Sequence, residues 1–392
     1  MRNLSYLSIL PFAFILIACS AEKEETTNST PLSEQDLEFE IYDSLVVDYL
    51  GNLYLADLTE DGKTFLLLDQ RSDTLFVTDR EGSILSKFNR LGDGPGFYKT
   101  SRLGLPSFLG SKEIIVPAYR GFYLYSLSGE PTRSFLPEFV PTISLIDMFN
   151  NNLVIHGDQV IFPWEGRLSD ELGVDGKEFQ MATRQVEVLD LKSGQFSPSI
   201  PFPGSSKFRT EEKTYLNVNY HTLIASSSDT LYVAFRNEPV VYGYSFSDLT
   251  NPASIQPIPF EEFIQKEPKE EAHYGTYDMK DIYVGMIQNL HPTEKQRFLL
   301  TYNRGLTDQE YDEIFALENS DPEEFSRKRN KTNTNGQVLF DGKSVSKVIM
   351  KPESLGFTFK FISEEEIWFT PNFEHIEKDY SVFYKTRIVA KK

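Results

Sequence analysis

The sequence predicts an all-β protein that folds as a single closed β-propeller, with six four-stranded antiparallel blades preferred and seven left open. Three observations predict it. From residue 36 the chain consists of short apolar runs with period-2 alternation, separated by turns rich in Asp, Ser and Gly. Aromatic residues that favour half-buried strands are abundant, with 31 Phe and 20 Tyr. No interior linker rich in Gly, Ser or Pro divides the 392 residues into smaller domains.

The repeating unit is a meander of short hairpins, and it is clearest in residues 63–89. Successive hairpins of this kind form the blade of a propeller. The run Leu37–Val47 has no unit of its own, so we expect it to be the outer strand that completes the last blade and closes the ring. The predicted strands are 64–69, 74–78 and 83–88 in the first unit; 113–117, 121–126 and 132–135 in the second; 153–155, 159–162, 185–190 and 196–200 in the third; 222–225, 230–235, 240–246 and 254–258 in the fourth; 284–288, 297–302 and 338–341 in the fifth; and 345–350, 356–362, 366–370 and 381–389 in the sixth.

Two segments interrupt this pattern and predict insertions with short helices. In residues 303–335, Thr307 and Glu310 have the spacing of a capping box, and Asp321-Pro322 offers a second helix start. Residues 260–272 are dense in Glu and Lys and predict a helical or irregular insertion. Insertions on one face of a propeller are where binding surfaces usually form, although they can also simply shield a blade edge.

The N-terminus predicts export and a lipid anchor. Arg2 precedes an apolar run over residues 4–18, which is typical of a secretory signal peptide and is short for a membrane-spanning helix. The run ends in Leu16-Ile17-Ala18-Cys19, which resembles the lipobox of bacterial lipoproteins. That resemblance implies cleavage after Ala18 and lipidation of Cys19, which would hold the protein at a membrane. The chain then divides into a signal peptide (1–18), a disordered tether (19–35) and the propeller domain (36–392).

Composition limits the compartment and the partners. Cys19 is the only cysteine, so the domain contains no internal disulfide. The net charge of −19 at pH 7 repels nucleic acid and anionic headgroups, so we expect no nucleic-acid partner. Ser20 is not the aspartate that typically retains lipoproteins at the inner membrane, and the acidic tether resembles the export signal of surface lipoproteins in Bacteroidetes-like bacteria. The resemblance implies an outer-membrane lipoprotein that faces the periplasm or the cell surface.

A glycine-rich loop resembles a motif of a known protein family. Residues 90–98 read Arg-Leu-Gly-Asp-Gly-Pro-Gly-Phe-Tyr, a tight loop in which several residues can take positive φ. The loop resembles the Gly-x-Gly-Pro-Gly-Glu-Tyr/Phe motif of six-bladed β-propeller lipoproteins of Bacteroidetes, with Phe97 where that motif has glutamate. With the lipobox and the tether, the layout is similar to that of the DUF4221-type lipoproteins. The family has no established activity, so the resemblance implies fold and location only.

No catalytic, cofactor-binding or metal-binding set is predicted. The five histidines (His156, His221, His273, His291 and His375) form no zinc-binding pair, and no Gly-x-Ser-x-Gly elbow is present. Residues 57–62 resemble a calcium loop but have Leu68 where the twelfth-position glutamate would stand, so a hairpin turn is preferred. The loop at residues 92–96 can be an anion cradle, but no lysine follows in P-loop spacing, so a blade connector is preferred.

The function that these features favour is a non-enzymatic binding module. A closed scaffold with long insertions would present a rigid face to a glycan, a peptide or an envelope protein. Trp164, Tyr274 and Tyr277 could stack on such a ligand or belong to the core. Two alternatives stay open: a hydrolase or lyase in the central channel, favoured if His156, His221 or His375 meets carboxylates at one mouth, and a structural subunit of an envelope complex.

Overall fold

Six antiparallel sheets form the ring, which confirms the preferred blade number. The computed structural model describes residues 31–99, 101–139, 153–373 and 379–391, except for the side chains of residues 165, 274 and 359. From Leu32 onward, the described residues belong to one compact body. Contacts between the first strands of neighbouring sheets place those strands around the central axis.

Each blade is built from strands that follow one another along the chain. Blade 1 contains β2 (Leu53–Leu58), β3 (Thr64–Asp69), β4 (Thr74–Asp79) and β5 (Ile84–Phe88). The other blades are β6 (Ser107–Leu109), β7 (Glu113–Ala118), β8 (Gly121–Ser126) and β9 (Pro131–Phe135) in blade 2; β10 (Val154–His156), β11 (Gln159–Phe162), β12 (Val186–Asp190) and β13 (Phe196–Ser199) in blade 3; β14 (Thr222–Ser226), β15 (Thr230–Phe235), β16 (Val240–Ser245) and β17 (Ser254–Pro257) in blade 4; β18 (Met286–Pro292), β19 (Phe298–Asn303) and β20 (Asn335–Phe340) in blade 5; and β21 (Leu355–Ser363), β22 (Glu366–Pro371), β23 (Ser381–Ala390) and β1 (Leu37–Val47) in blade 6.

The N-terminal strand closes the ring, as predicted. β1 pairs antiparallel with β23, from Leu37 opposite Ala390 to Val47 opposite Ser381. The outer strand of blade 6 therefore comes from one end of the domain and its three inner strands come from the other. This pairing leaves no open radial edge at which the ring could separate.

The core consists of apolar layers between neighbouring blades, and one cluster fills each of the six blade interfaces. Strand β3 shows why its sequence is apolar without interruption. Phe65 and Leu67 pack towards blade 6, whereas Leu66 and Leu68 pack towards blade 2. A strand that is covered on both faces needs apolar residues at every position, so it loses the alternation of a half-exposed strand.

Residues 345–350 were predicted to form the first strand of blade 6, and this assignment was wrong. This segment does not begin blade 6, because it turns back after β20 and bonds to blade 5, with the Ile349 N–H donating to the Gln337 carbonyl at 2.8 Å. It also meets the closing strand, since the Phe39 N–H donates to the Met350 carbonyl at 2.9 Å. The innermost strands β2 and β6 were not predicted. Blade 5 therefore has an irregular outer strand, and blades 1 and 2 have the four strands that the fold requires.

A glycine recurs in the turn between the third and fourth strands of a blade. Gly82 has φ +83°, and a Cβ atom there would lie 1.8 Å from the Val46 carbonyl oxygen of the preceding blade's outer strand. Only glycine permits both the left-handed backbone and the close approach. The equivalent turn glycines, each with positive φ and each next to the preceding outer strand, are Gly129, Gly194 and Gly342.

Within the described ranges, four α-helices interrupt the strands. The helix starts predicted at Thr307 and Asp321 are confirmed by α3 (Asp308–Phe315) and α4 (Pro322–Thr332), and Thr307 and Glu310 form the capping box. The helices α1 (Ser169–Leu172) and α2 (Lys177–Ala182), between β11 and β12, were not predicted. The insertion at 260–272 is irregular, and short 3-10 helices follow it at Tyr274–Thr276 and Met279–Asp281.

Candidate functional site

The two faces of the ring differ in the length of their connections. Because strands alternate in direction within a blade, turns after the first and third strands share one face, and connections after the second and fourth strands share the other. Lys295 in the β18–β19 turn lies 2.9 Å from Glu364 in the β21–β22 turn, so the corresponding turns of these neighbouring blades lie on the same face of the ring. The first face, called the short-turn face, has connections 59–63, 80–83, 110–112, 127–130, 157–158, 191–195, 227–229, 246–253, 293–297, 341–344 and 364–365. The second, called the long-loop face, carries the long connections 89–106, 136–153, 163–185, 200–221, 258–285 and 304–334 and the shorter connections 48–52, 70–73, 119–120, 236–239 and 372–380.

Exposed apolar side chains follow the same division. Within the described residues, the large apolar side chains that are exposed lie either on strands and outer edges or in connections of the long-loop face. None lies in a described turn of the short-turn face. The eight in connections are Leu50, Leu91, Leu136, Val174, Tyr277, Met279, Phe373 and Tyr380.

Three of these side chains and Phe357, near the start of β21, lie in segments at the long-loop end of blade 6. Hydrogen bonds join the segments that carry them, since the Asn372 N–H donates to the Ser354 carbonyl at 2.9 Å and the Ser381 hydroxyl donates to the Tyr49 carbonyl at 3.2 Å. The most exposed members are Leu50 at 80% and Phe357 at 79%. We call this group the apolar patch, and it consists of Leu50, Phe357, Phe373 and Tyr380.

The long loops of blades 4 and 5 are held by a buried asparagine. Asn237, in the β15–β16 turn, donates from its amide to the Gly285 carbonyl at 2.5 Å and the Ile264 carbonyl at 3.1 Å. Its side-chain oxygen accepts from the Lys266 N–H at 2.7 Å and from Lys207 Nζ at 2.8 Å. One fully buried side chain therefore fixes the 258–285 loop against the 200–221 loop.

A buried ion pair fixes the same loop from within. The Asp281 carboxylate accepts from Lys266 Nζ at 2.8 Å and Lys269 Nζ at 2.7 Å. Burial tends to raise the pKa of Asp281, but hydrogen bonds from the two lysines hold it below its ordinary value. Burial also lowers the pKa of Lys207 to about 8, and its ammonium lies over the ring of Tyr215. These groups are engaged with one another, so they support the loops and do not form a reactive site.

The histidines do not gather at one channel mouth. His156 ends β10 on the short-turn face and stacks on Phe246 with ring centroids 3.7 Å apart. His221 is buried before β14, towards the long-loop face, and His273 is exposed in the 258–285 loop. His375 lies outside the described residues. The arrangement of the described histidines counts against the hydrolase or lyase alternative.

The Asp57 carboxylate joins the innermost strands of three neighbouring blades. Asp57 on β2 accepts from Lys360 Nζ on β21 at 2.7 Å and from the Phe108 N–H on β6 at 2.8 Å, so it joins blades 6, 1 and 2. Nearby, His291 on β18 stacks on Phe361 of β21 with ring centroids 5.4 Å apart. Burial, with a smaller effect from the positive charge of Lys360, lowers the pKa of His291 to about 4. His291 is therefore neutral at physiological pH and contributes to packing between blades 5 and 6.

This histidine predicts a loss of stability in acid. Between pH 6.5 and 4 the unfolded chain binds a proton at this position that the folded protein does not, so stability falls as the pH falls. In urea unfolding at pH 7 and pH 4.5, we expect His291→Gln to lose about 1–3 kcal/mol less than the wild type over this interval. His273→Gln, at an exposed position, should match the wild type. Equal losses in all three proteins would contradict the prediction.

The other residues singled out in the sequence have structural surroundings. The glycine-rich loop is tied to its neighbours, since the Tyr98 N–H donates to the Arg90 carbonyl at 3.0 Å and the Tyr125 hydroxyl donates to the Gly96 carbonyl at 2.9 Å. These contacts fit the blade-connector interpretation. Trp164 is 1% exposed and belongs to the core, whereas Tyr277 is 42% exposed on the long-loop face. The side chain of Tyr274 and the whole of Cys19 lie outside the described residues.

The acidic segment at residues 57–62 forms a hairpin turn, with the Gly62 N–H donating to the Thr59 carbonyl at 2.8 Å. Across the part of the chain that the structure describes, no group of three or more His, Cys, Asp or Glu side chains is arranged to hold a metal ion. In that same part, no helix combines the length and the apolar character needed to cross a membrane.

Comparison with solved structures identifies the architecture. A member of the DUF4221 family from Bacteroides vulgatus matches with a TM-score of 0.62 and 13% identity, over 92% of this chain and 100% of that chain. The chain has the fold of the DUF4221 family. A candidate exported protein from Bacteroides fragilis also matches, with a TM-score of 0.54 and 12% identity, over 93% of this chain and 98% of that chain. No family model and no curated protein matches the sequence.

The resemblance predicted from the glycine-rich loop is thus confirmed at the level of the fold. The features that distinguish the two faces of this propeller were only partly predicted. The 303–335 insertion was found from its capping residues, but the apolar patch joins residues more than 300 positions apart, and no local pattern indicates that they meet. The helical insertion after Trp164 has a weak signal, because α1 spans only four residues.

Proposed function

We propose that this DUF4221-type propeller is a lipid-anchored binding module of the bacterial outer membrane and that its long-loop face holds a protein or peptide partner. The observation that carries the proposal is the division between the faces. Long connections and exposed apolar side chains occur together on one face, and the described short turns of the other face carry no exposed large apolar residue. Exposed apolar groups that lie together typically mark sites of protein interaction.

The point at which the chain enters the ring is consistent with a long-loop face that is open to partners. β1 begins on the short-turn face, where the Lys391 N–H donates to the Asp36 carbonyl at 2.8 Å. A tether that ends at a lipidated Cys19 would join the ring at this face. The long-loop face would then lie on the side of the ring opposite the attachment point of the tether, where soluble or surface-bound partners could reach it.

The chemistry of the apolar patch favours a polypeptide partner. Phe357, Phe373 and Tyr380 present aromatic rings, and aromatic side chains dominate the binding energy of protein interfaces. The net charge of −19 disfavours nucleic acid and favours a neutral or cationic partner surface. A glycan remains the alternative ligand of this face, and a permanent envelope complex would make the protein a structural subunit.

A paired set of variants tests the face. We expect Leu50→Ser/Phe357→Ser to reduce recovery of a cross-linked partner from outer-membrane extracts by at least tenfold, since removal of central anchors costs about 2 kcal/mol or more each. The control is Leu85→Ser/Ile255→Ser, which removes apolar side chains exposed on outer strands. Equal recovery with both double variants, or no partner with the wild type, would refute a binding role for this face.

The anchor is tested at Cys19. We expect the wild-type protein to incorporate radiolabelled palmitate and to sediment with the outer membrane, because acyl chains supply the membrane affinity. Cys19→Ser should incorporate no label and should leave the outer-membrane fraction. A label retained by Cys19→Ser would contradict lipidation at Cys19, and sedimentation of the wild type with the inner membrane would contradict an outer-membrane location.

A further inference from the structure

A cleft opens at the seam where the last blade meets the first, between β1, β22 and β23 of blade 6 and two turns of blade 1. We propose that this cleft binds a neutral mono- or disaccharide, at a site separate from the long-loop face. Its volume is about 380 Å³, within the range of small-molecule sites. The lining residues used below are Asp43, Asp61, Arg80, Glu81, Glu366 and Lys385.

The floor of the cleft is rigid and already organised. Glu366 accepts from the indole N–H of Trp368 at 2.9 Å and from Lys385 Nζ at 2.7 Å. Trp368 is 4% exposed and packs edge-on against Phe65, with ring centroids 5.3 Å apart. Because the aromatic rings are buried, a ligand would be held mainly by hydrogen bonds to the Glu366–Lys385 pair and the rim. A site whose polar groups are fixed in advance loses little entropy when it binds a small ligand.

The rim offers donors and acceptors side by side. Asp43 lies 3.9 Å from Arg80, beyond hydrogen-bond distance, and both side chains are accessible, at 47% and 65% exposure. Asp61 and Glu81 add carboxylates from the two turns of blade 1. Each sugar hydroxyl both donates and accepts, so a ring of hydroxyls can satisfy a rim of this mixed kind.

The charges that line the cleft favour a neutral ligand over a charged one. An anion would face four carboxylates. A cation would have to compete with the basic side chains that already lie beside Asp43, Asp61 and Glu366. The carboxylate of a zwitterionic amino acid could pair only with Arg80, which lies 3.9 Å from Asp43, because Lys385 is already paired with Glu366. A neutral polyhydroxylated molecule meets no like charge at any position in the cleft.

The position of the cleft predicts a second effect of binding. A ligand in it touches the closing strand through Asp43 and blade 1 through Asp61, Arg80 and Glu81. Ligands that bind only the folded state shift unfolding to higher temperature. A saccharide that binds here should therefore raise the Tm of the full-length protein in proportion to the logarithm of its concentration.

The test uses the full-length protein in a detergent without a sugar headgroup. Calorimetric titration with glucose, galactose, mannose, N-acetylglucosamine, maltose and lactose should give saturable binding of at least one of them, with a matching rise in Tm. Asp43→Asn/Glu81→Gln should weaken that binding at least tenfold while the ligand-free Tm stays unchanged. Asp158→Asn, which alters an exposed carboxylate in a turn of blade 3, should bind like the wild type.

Three outcomes would overturn the proposal: no binding of any sugar in this panel, undiminished affinity in Asp43→Asn/Glu81→Gln, or stronger binding of free amino acids than of sugars. The apolar-patch variant Leu50→Ser/Phe357→Ser should retain full saccharide binding. Failure of the cleft and failure of the long-loop face are therefore distinguishable in separate measurements.

Discussion

Gly82→Ala is expected to lower the free energy of unfolding by about 3 kcal/mol or more. An alanine at φ +83° costs about 1–2 kcal/mol in backbone strain alone. In addition, its Cβ would lie 1.8 Å from the Val46 carbonyl oxygen, so the turn must move away from the closing strand. That movement loosens the packing between the closing strand β1 and blade 1.

Gly62→Ala is the matched control, because it separates strain from contact. Gly62 lies in another turn of blade 1 with φ +66°, but no atom lies within 4 Å of a Cβ built there. We expect this variant to lose only about 1–2 kcal/mol from the backbone. Urea unfolding of the two variants should therefore differ by at least 1 kcal/mol. Similar losses would show that the approach to Val46 is unimportant.

Phe39→Ala/Leu45→Ala is expected to prevent stable closure of the ring. Phe39 packs edge-on against Phe369 with ring centroids 5.0 Å apart, between blades 5 and 6, whereas Leu45 packs in the layer between blades 6 and 1. Both side chains are at most 2% exposed. Their removal costs about 3–5 and 2–5 kcal/mol, and the costs should add because the residues belong to separate clusters. The sum is comparable with the whole stability of a typical domain.

Tyr42→Ala/Val46→Ala provides the comparison on the same strand, since both side chains are 45% exposed. Thermal unfolding should show a Tm close to that of the wild type for this control and a loss of the cooperative transition for Phe39→Ala/Leu45→Ala. Limited proteolysis should cleave the latter first near β1. A cooperative transition within a few degrees of the wild type would show that the closing strand is dispensable.

The fold was predictable because each blade repeats the same local pattern of short strands and tight turns. The turn glycines Gly82, Gly129 and Gly194 follow runs of strand-forming residues, and the early run Leu37–Val47 had no partner within its own stretch of sequence. The segment at 345–350 was misplaced because an irregular strand that bonds to blade 5 has the same alternation as a first strand of blade 6. The innermost strand β6 was missed because its three residues are too few for a periodic signal.

The candidate sites were less predictable for a topological reason. The order of strands in each sheet decides which connections share a face. That order cannot be read from any single segment of the sequence. Leu50 and Phe357 are ordinary residues in their local sequences and form a patch only when β1 closes on β23. The seam cleft has the same origin, because its walls come from both ends of the domain.

The pairing of β1 with β23 also determines when the protein can finish folding. Arg387 reaches Glu40 across 347 positions of sequence, so the first strand of the domain to be synthesised must wait for the last. In the export that we propose, the leading segment would cross the inner membrane as an open chain, with its partner strand still on the other side. Assembly of the sixth blade is therefore a late event that only a fully delivered chain can complete.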